Sequence, residues 1–81
     1  MSTSTSIEER VRGVVTGILD VNDSDLNSSV RFRDLGATSI DFVEILSGVE
    51  NEFNVDIPDD VMAELNTVDK LVAYVEPRVS A

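Results

Sequence analysis

Between Thr38 and Phe53, apolar residues recur at Ile40, Val43, Leu46, Val49 and Phe53, each three or four positions after the last. That interval is the repeat of an α-helix and marks an amphipathic stripe. A half-buried strand would alternate at every second residue, which this stretch does not do. Ile45 widens the stripe. Asp41, Glu44, Glu50 and Glu52 supply the wet side, and no basic residue occurs from Thr38 to Phe53. A helix of this length is marginal alone, so its stripe needs other helices to pack against.

The flanking sequence supplies them. Ser6 stands three residues before Glu9, the spacing of a capping box. Ile7, Val11, Val14, Ile18 and Leu19 follow at helical intervals and predict a first helix from Ile7 to Asp20. Gly13 and Gly17 each weaken that helix by about 1 kcal/mol relative to alanine, so packing must compensate. Asn22 to Ser29 reads as loop, because Asn, Asp and Ser favour local side-chain bonds over helix. The connection from Val21 to Thr38 is long for a compact domain. Leu26, Val30, Phe32 and Leu35 tie it to the core, with room for a short turn, and it suits two helices running roughly parallel. Asn54 ends the second helix. Pro58 opens a short third one, with Asp59 and Asp60 near the positive end of its dipole. Val61, Met62 and Leu65 form its apolar face, and Asn66 and Thr67 break it. Val68, Leu71, Val72 and Val75 mark a last helix, stopped before Pro77. Tyr74 rims the core with its hydroxyl wet.

These elements predict an all-α fold: a small four-helix bundle with a long loop between helices one and two and a short third helix. Eighty-one residues hold one modest core. The expected domain covers residues 6–76, with a disordered tail at 1–5 and a second tail at 77–81. There is no cysteine for a disulfide, and no apolar run long enough to span a membrane. The first residues lack the charged and apolar regions of a secretory signal, so the default location is cytoplasmic. The initial methionine and the lack of long linkers favour a free-standing protein over a piece of a larger synthase, and a monomer is expected.

Sixteen acids against six bases give a net charge of −10. Such a surface repels nucleic-acid backbones and anionic membranes and favours partners with basic patches. One acidic stretch mimics a calcium loop. Asp23, Asp25 and Asn27 alternate, Val30 falls eighth and Asp34 twelfth. Against it, Ser28 stands where the sharp-turn glycine belongs, and Asp34 is too short for a bidentate ligand. Arg31 and Arg33 add positive charge, so no metal site is expected.

Ser39 poses a sharper question. Thr38 is a good N-cap and Asp41 lies three residues later, so Thr38 to Asp41 fits a capping box with Ser39 as the first helical residue. A nucleophilic serine needs an adjacent base, yet the chain has no histidine and its lone lysine, Lys70, lies in another helix. Autonomous serine catalysis is therefore not expected. A role as an acceptor, modified by a separate enzyme, needs no internal base. A phosphate ester there would meet free N–H groups and the positive end of the helix dipole.

Together, "LGATSIDFVEIL", "ENEFNVDIPDD" and "TVDKLVAYV" resemble the acyl carrier proteins, including their polyketide and peptidyl relatives. The resemblance runs from about Ile7 to Val75. It implies a non-catalytic carrier whose Ser39 bears a phosphopantetheine arm, added from coenzyme A by a magnesium-dependent phosphopantetheinyl transferase. Acyl groups would ride on the arm as thioesters, at raised effective concentration near each partner's active site. It also implies docking of a ketosynthase, acyltransferase or related enzyme on the second helix, through Thr38, Ile40, Asp41, Glu44 and Glu50. Val43, Leu46, Val49, Phe53, Met62, Ala63 and Leu65 are core first, and by resemblance candidates to line an acyl pocket. Two departures stand out. The family's usual aspartate before the serine is Thr38, which keeps the cap and loses a charge. Its usual leucine after the serine is Ile40. Phe42 is bulky, and Ser47-Gly48 leaves room either for a chain or for a close helix contact. These features favour a specialised, polyketide-like pathway over housekeeping fatty-acid synthesis. The rival functions are an unmodified acidic interaction module, or degenerate carrier, and a calcium sensor.

Overall fold

The computed structural model describes residues 6–79, and among them the regular structure is entirely helical. Four α-helices follow one another: α1 (Ile7–Leu19), α2 (Ser39–Phe53), α3 (Asp59–Met62) and α4 (Val68–Val79). The tail predicted at residues 1–5 lies outside the described residues.

Local chemistry sets most boundaries. Ser6 Oγ accepts from Glu9 N–H (3.1 Å) and Glu9 Oε1 accepts from Ser6 N–H (3.3 Å), so the predicted capping box forms. α1 ends at Leu19, one residue earlier than expected, because Asp20 turns into the left-handed region at φ 57° as its C-cap. Asn54 closes α2 the same way at φ 54°. The long connection holds two 3₁₀ turns, Asp23–Asp25 and Phe32–Leu35. Leu26 and Phe32 anchor it by full burial. Arg12 of α1 ties it down further, with Nε on Asp23 Oδ1 (2.8 Å), Nη2 on the carbonyls of Asp23 (2.7 Å) and Leu26 (2.6 Å), and Nη1 on Ser28 Oγ (2.7 Å). The acids of the calcium-loop pattern are thus split between two turns. Asp23 pairs with Arg12 and Asp34 with Arg31.

α1 packs against both α2 and α4. Val11 and Val15 meet Ile45, Leu46, Val49 and Phe53 of α2 and Val68, Leu71 and Val75 of α4 in one buried cluster, with Leu26, Phe32, Ile57 and Leu65 closing its ends. Gly48 settles the question left by the sequence. A Cβ there would lie 2.7 Å from Val14 Cγ1, so the glycine serves a close α1–α2 contact.

Three expectations need correction. First, Ile40 and Val43 are 71% and 55% exposed and do not belong to the core. At about 100° per residue, each step of three falls about 60° short of a full turn. Three such steps carry Ile40 to the side opposite Val49. The face that does hold together is Phe42, Ile45, Leu46, Val49 and Phe53. Second, α3 stops at Met62; Leu65 is buried beyond its end, and Ala63 is exposed and not core. Third, α4 does not stop before Pro77 but runs through it to Val79, so the expected tail begins as helix. Proline is best tolerated in the first turn of a helix, whereas Pro77 stands near the C-terminal end of α4, where it removes a backbone donor. Arg78 reinforces that end: its Nη1 donates to the Tyr74 carbonyl (2.8 Å) and its guanidinium lies 3.6 Å from the Tyr74 ring centroid. Tyr74 in turn donates its hydroxyl to the Asp56 carbonyl (3.0 Å), tying α4 to the α2–α3 loop.

Candidate functional site

Ser39 is the first residue of α2 and is exposed. Gly36 precedes it at φ 92°, a left-handed conformation that favours glycine and turns the chain from the second 3₁₀ turn toward α2. Thr38 then caps the helix reciprocally. Its Oγ1 accepts from Asp41 N–H (3.1 Å), and Asp41 Oδ2 accepts from Thr38 N–H (3.0 Å). The predicted box therefore forms with threonine in the cap position, and the serine's backbone is fixed on both sides. Ser39 and Ile40 keep first-turn N–H groups that no helical carbonyl can reach.

Beside Ser39 opens a cavity of about 570 Å³. That lies inside the roughly 300–1,000 Å³ usual for small-molecule clefts. Phe32 and Arg33 of the second 3₁₀ turn form one wall, and Ala37, Thr38, Ser39 and Phe42 another. Ala63 and Asn66, from the stretch between α3 and α4, close it. The Phe32 and Phe42 rings meet at 6.3 Å between centroids, tilted by 46°, as an apolar base. Asn66 is held by its backbone, whose carbonyl accepts from Phe32 N–H (3.0 Å). Its side-chain Oδ1 is buried and has no hydrogen-bond partner. An acceptor left in that state costs about 1–3 kcal/mol.

The predicted residues divide unevenly over this site. Of the pocket candidates, Ala63 alone lines the cavity; Leu46, Val49, Phe53 and Leu65 are packed in the core, Met62 is half-buried against it, and Val43 faces solvent. Of the docking candidates, Ile40 and Glu44 are exposed and lie one turn apart. Asp41 is engaged with Thr38. Glu50 is half-buried, and its Oε2 accepts from Ile57 N–H (2.8 Å), bracing the loop after α2. Reasoning from sequence missed Arg33, Ala37 and Asn66 as cavity residues, and Phe32 and Phe42 as its base. The pattern gave a signal for Phe42 alone, through its unusual bulk beside the serine.

A family model described as the phosphopantetheine attachment site matches residues 9–75. The chain belongs to this family. Phosphopantetheine carriers hold their prosthetic group covalently, and such carrier domains are generally non-catalytic, working with a transferase and with biosynthetic enzymes. The residues present fit the group. A phosphopantetheine attachment site needs an accessible hydroxyl on a fixed backbone, and Ser39 at the capped start of α2 provides one. The orphaned amide oxygen of Asn66, in the wall of the adjoining cavity, suits an arm built of amides. Among the described residues no helix is long and apolar enough to cross a membrane.

Proposed function

We propose that Ser39 is the attachment residue and that the chain carries acyl groups on its arm, as thioesters, between the enzymes of a polyketide-like or fatty-acid biosynthetic pathway. The observation that carries this reading is the exposed Ser39 hydroxyl at the capped start of α2, inside the matched span. In the loading step Ser39 Oγ forms a bond to the β-phosphorus of coenzyme A. The bond from that phosphorus to the bridging diphosphate oxygen breaks, and adenosine 3′,5′-bisphosphate leaves. The transferase must take the hydroxyl proton and supply the magnesium, since the chain has no histidine and the nearby Asp41 carboxylate is engaged with Thr38 N–H. Once attached, the group supplies a thiol that this chain lacks.

Partner recognition falls to the outward side of α2. Ile40 and Val43 offer apolar contact, and Glu44 offers charge to a basic patch on the transferase, ketosynthase or acyltransferase. Asp41 adds charge while holding the cap. Glu50 acts less directly, by shaping the loop that follows.

Intact-mass measurement tests the reading. Incubation with coenzyme A and a transferase should add one phosphopantetheinyl group and one titratable thiol. Ser39→Ala should abolish both with no change in helical content. A wild-type chain that gains no mass with any of several transferases refutes it, and leaves an acidic interaction module.

A further inference from the structure

A second groove, of about 710 Å³, runs along α4 where that helix faces the stretch after α3. Lys70, Tyr74 and Arg78 recur at every fourth residue and line it from one side of α4. Its charge is opposite to that of the chain. Of the six bases in this protein of net charge −10, Arg10, Arg12 and Arg31 each pair with a carboxylate. Lys70 and Arg78 are exposed and pair with no carboxylate among the described residues, although Glu64 lines the same groove. Arg78 lies over the Tyr74 ring and spends Nη1 on the Tyr74 carbonyl, which leaves its other donors. The acids of α4 stand elsewhere: Asp69 and Glu76 fall about 140° and 160° round the helix from Tyr74. The sides of α4 are thus segregated by charge, and the basic side is the one that opens on the groove.

We propose that this groove docks an acidic, extended peptide segment of a partner protein, on a face separate from the acidic side of α2. The spacing of the cations selects that occupant. Lys70 and Arg78 stand about 12 Å apart along the helix axis, at 1.5 Å per residue. One phosphate or one carboxylate cannot bridge that span, whereas an extended chain crosses it in about four residues at 3.3 Å each. Ala63 and Ala73 leave room between the cations for small apolar side chains of the segment. A second copy of this chain would bring another net charge of −10 against the first, and nucleic acid or an anionic membrane would meet the same repulsion. A short acidic segment meets the two cations without the rest of the surface. Ala63 and Asn66 line both this groove and the cavity beside Ser39, so a bound segment seats its protein next to the serine and leaves α2 uncovered. None of this depends on Ser39 bearing the arm.

The test titrates the isotope-labelled apo protein with the capped peptide Ser-Glu-Leu-Ser-Leu-Glu-Ser and follows the backbone amides by NMR. Shifts should gather on α4 from Lys70 to Arg78 and on residues 63–66, and should shrink as salt is added. The same peptide with glutamine in place of both glutamates should give none. Lys70→Gln and Arg78→Gln should each weaken binding about two- to fivefold, the range of exposed ion pairs. Ala73→Glu sets a like charge into the groove from an exposed position and should abolish binding. Circular dichroism checks that each variant is folded, and three exposed positions keep the test open should one fail. No shifts with the glutamate peptide, shifts on α2 instead, or equal shifts with the glutamine peptide overturn the proposal. So do unchanged affinities in the folded variants. Tighter binding of inorganic pyrophosphate at the same amides makes the groove a small-anion site, and self-association of the free protein through them makes it a contact between copies; either result overturns it as well.

Discussion

Gly48→Ala separates packing from propensity within one helix. In an exposed helix interior the change from glycine to alanine stabilises by about 1 kcal/mol. At Gly48 the new methyl would stand 2.7 Å from Val14 Cγ1, against an optimum of about 3.5–4.0 Å for carbon pairs. About 1 Å of overlap must be relieved. Val14 cannot swing away cheaply, since a β-branched side chain in a helix has one strongly preferred rotamer. The alternative is to part α1 from α2 along their main contact. Overpacking of this kind costs about 1–3 kcal/mol. The net effect is a loss of about 0–2 kcal/mol. Gly13 and Gly17 have nothing within 4 Å of a built Cβ, so alanine at either should give the full gain of about 1 kcal/mol. Urea unfolding followed by circular dichroism measures all three. In thermal melts the gap between Gly48→Ala and Gly13→Ala should be several degrees, at about 4–8 °C per kcal/mol for a domain of this size. Val14→Ala opens space opposite position 48. In that background Gly48→Ala should become stabilising, with a coupling energy of about 1 kcal/mol or more. If Gly48→Ala stabilises as much as Gly13→Ala and shows no coupling to Val14, the close helix contact is wrong.

Thr38→Ala removes the Oγ1 acceptor at the start of α2 and should cost about 1 kcal/mol by urea unfolding, while Thr38→Asp, which also caps, should stay within about 0.5 kcal/mol of wild type. Arg12→Ala should cost about 2 kcal/mol, since its side chain is 17% exposed and makes charged hydrogen bonds to the loop, and the loop amides from Asp23 to Ser28 should lose protection in hydrogen exchange. Ile40→Ser and Val43→Ser should each change stability by no more than about 0.5 kcal/mol, being surface positions, yet raise the KM of the loading transferase for the carrier.

Capping was the most legible level of the fold. Ser6 with Glu9, Thr38 with Asp41, and Asn54 at the end of α2 all act where they stand, because each motif closes within a few residues. The three long helices follow from periodicity for the same local reason. What escaped was decided across the chain. Pro77 lies inside α4, where Arg78 contacts the Tyr74 carbonyl and ring, and no helix-stop pattern encodes such contacts. Asn66 looks like a plain helix breaker in sequence. Its place in the cavity wall depends on its carbonyl meeting Phe32, more than thirty residues away. Glu50 scans as one more surface acid, and only the return of the chain at Ile57 shows what it holds.

The misplaced stripe on α2 has a physical consequence beyond its correction. Apolar residues at steps of three were read as a single face, but the helix turns about 100° per residue, so Ile40, Val43, Leu46 and Val49 spiral half-way round it. Leu46 and Val49 enter the core; Ile40 emerges into solvent on the side opposite Val49, and Val43 about 120° round from it. Folding alone gives no reason for large aliphatic side chains there, since their burial adds nothing to the bundle. Both sit within one turn of Ser39, and Glu44 lies beside them. An excess of apolar residues over what the core can use, placed next to the proposed attachment hydroxyl and edged with acid, suits a surface that the proposed basic partners would grip briefly. The same apolar residues that blurred the core pattern are therefore the ones that support a docking role for α2.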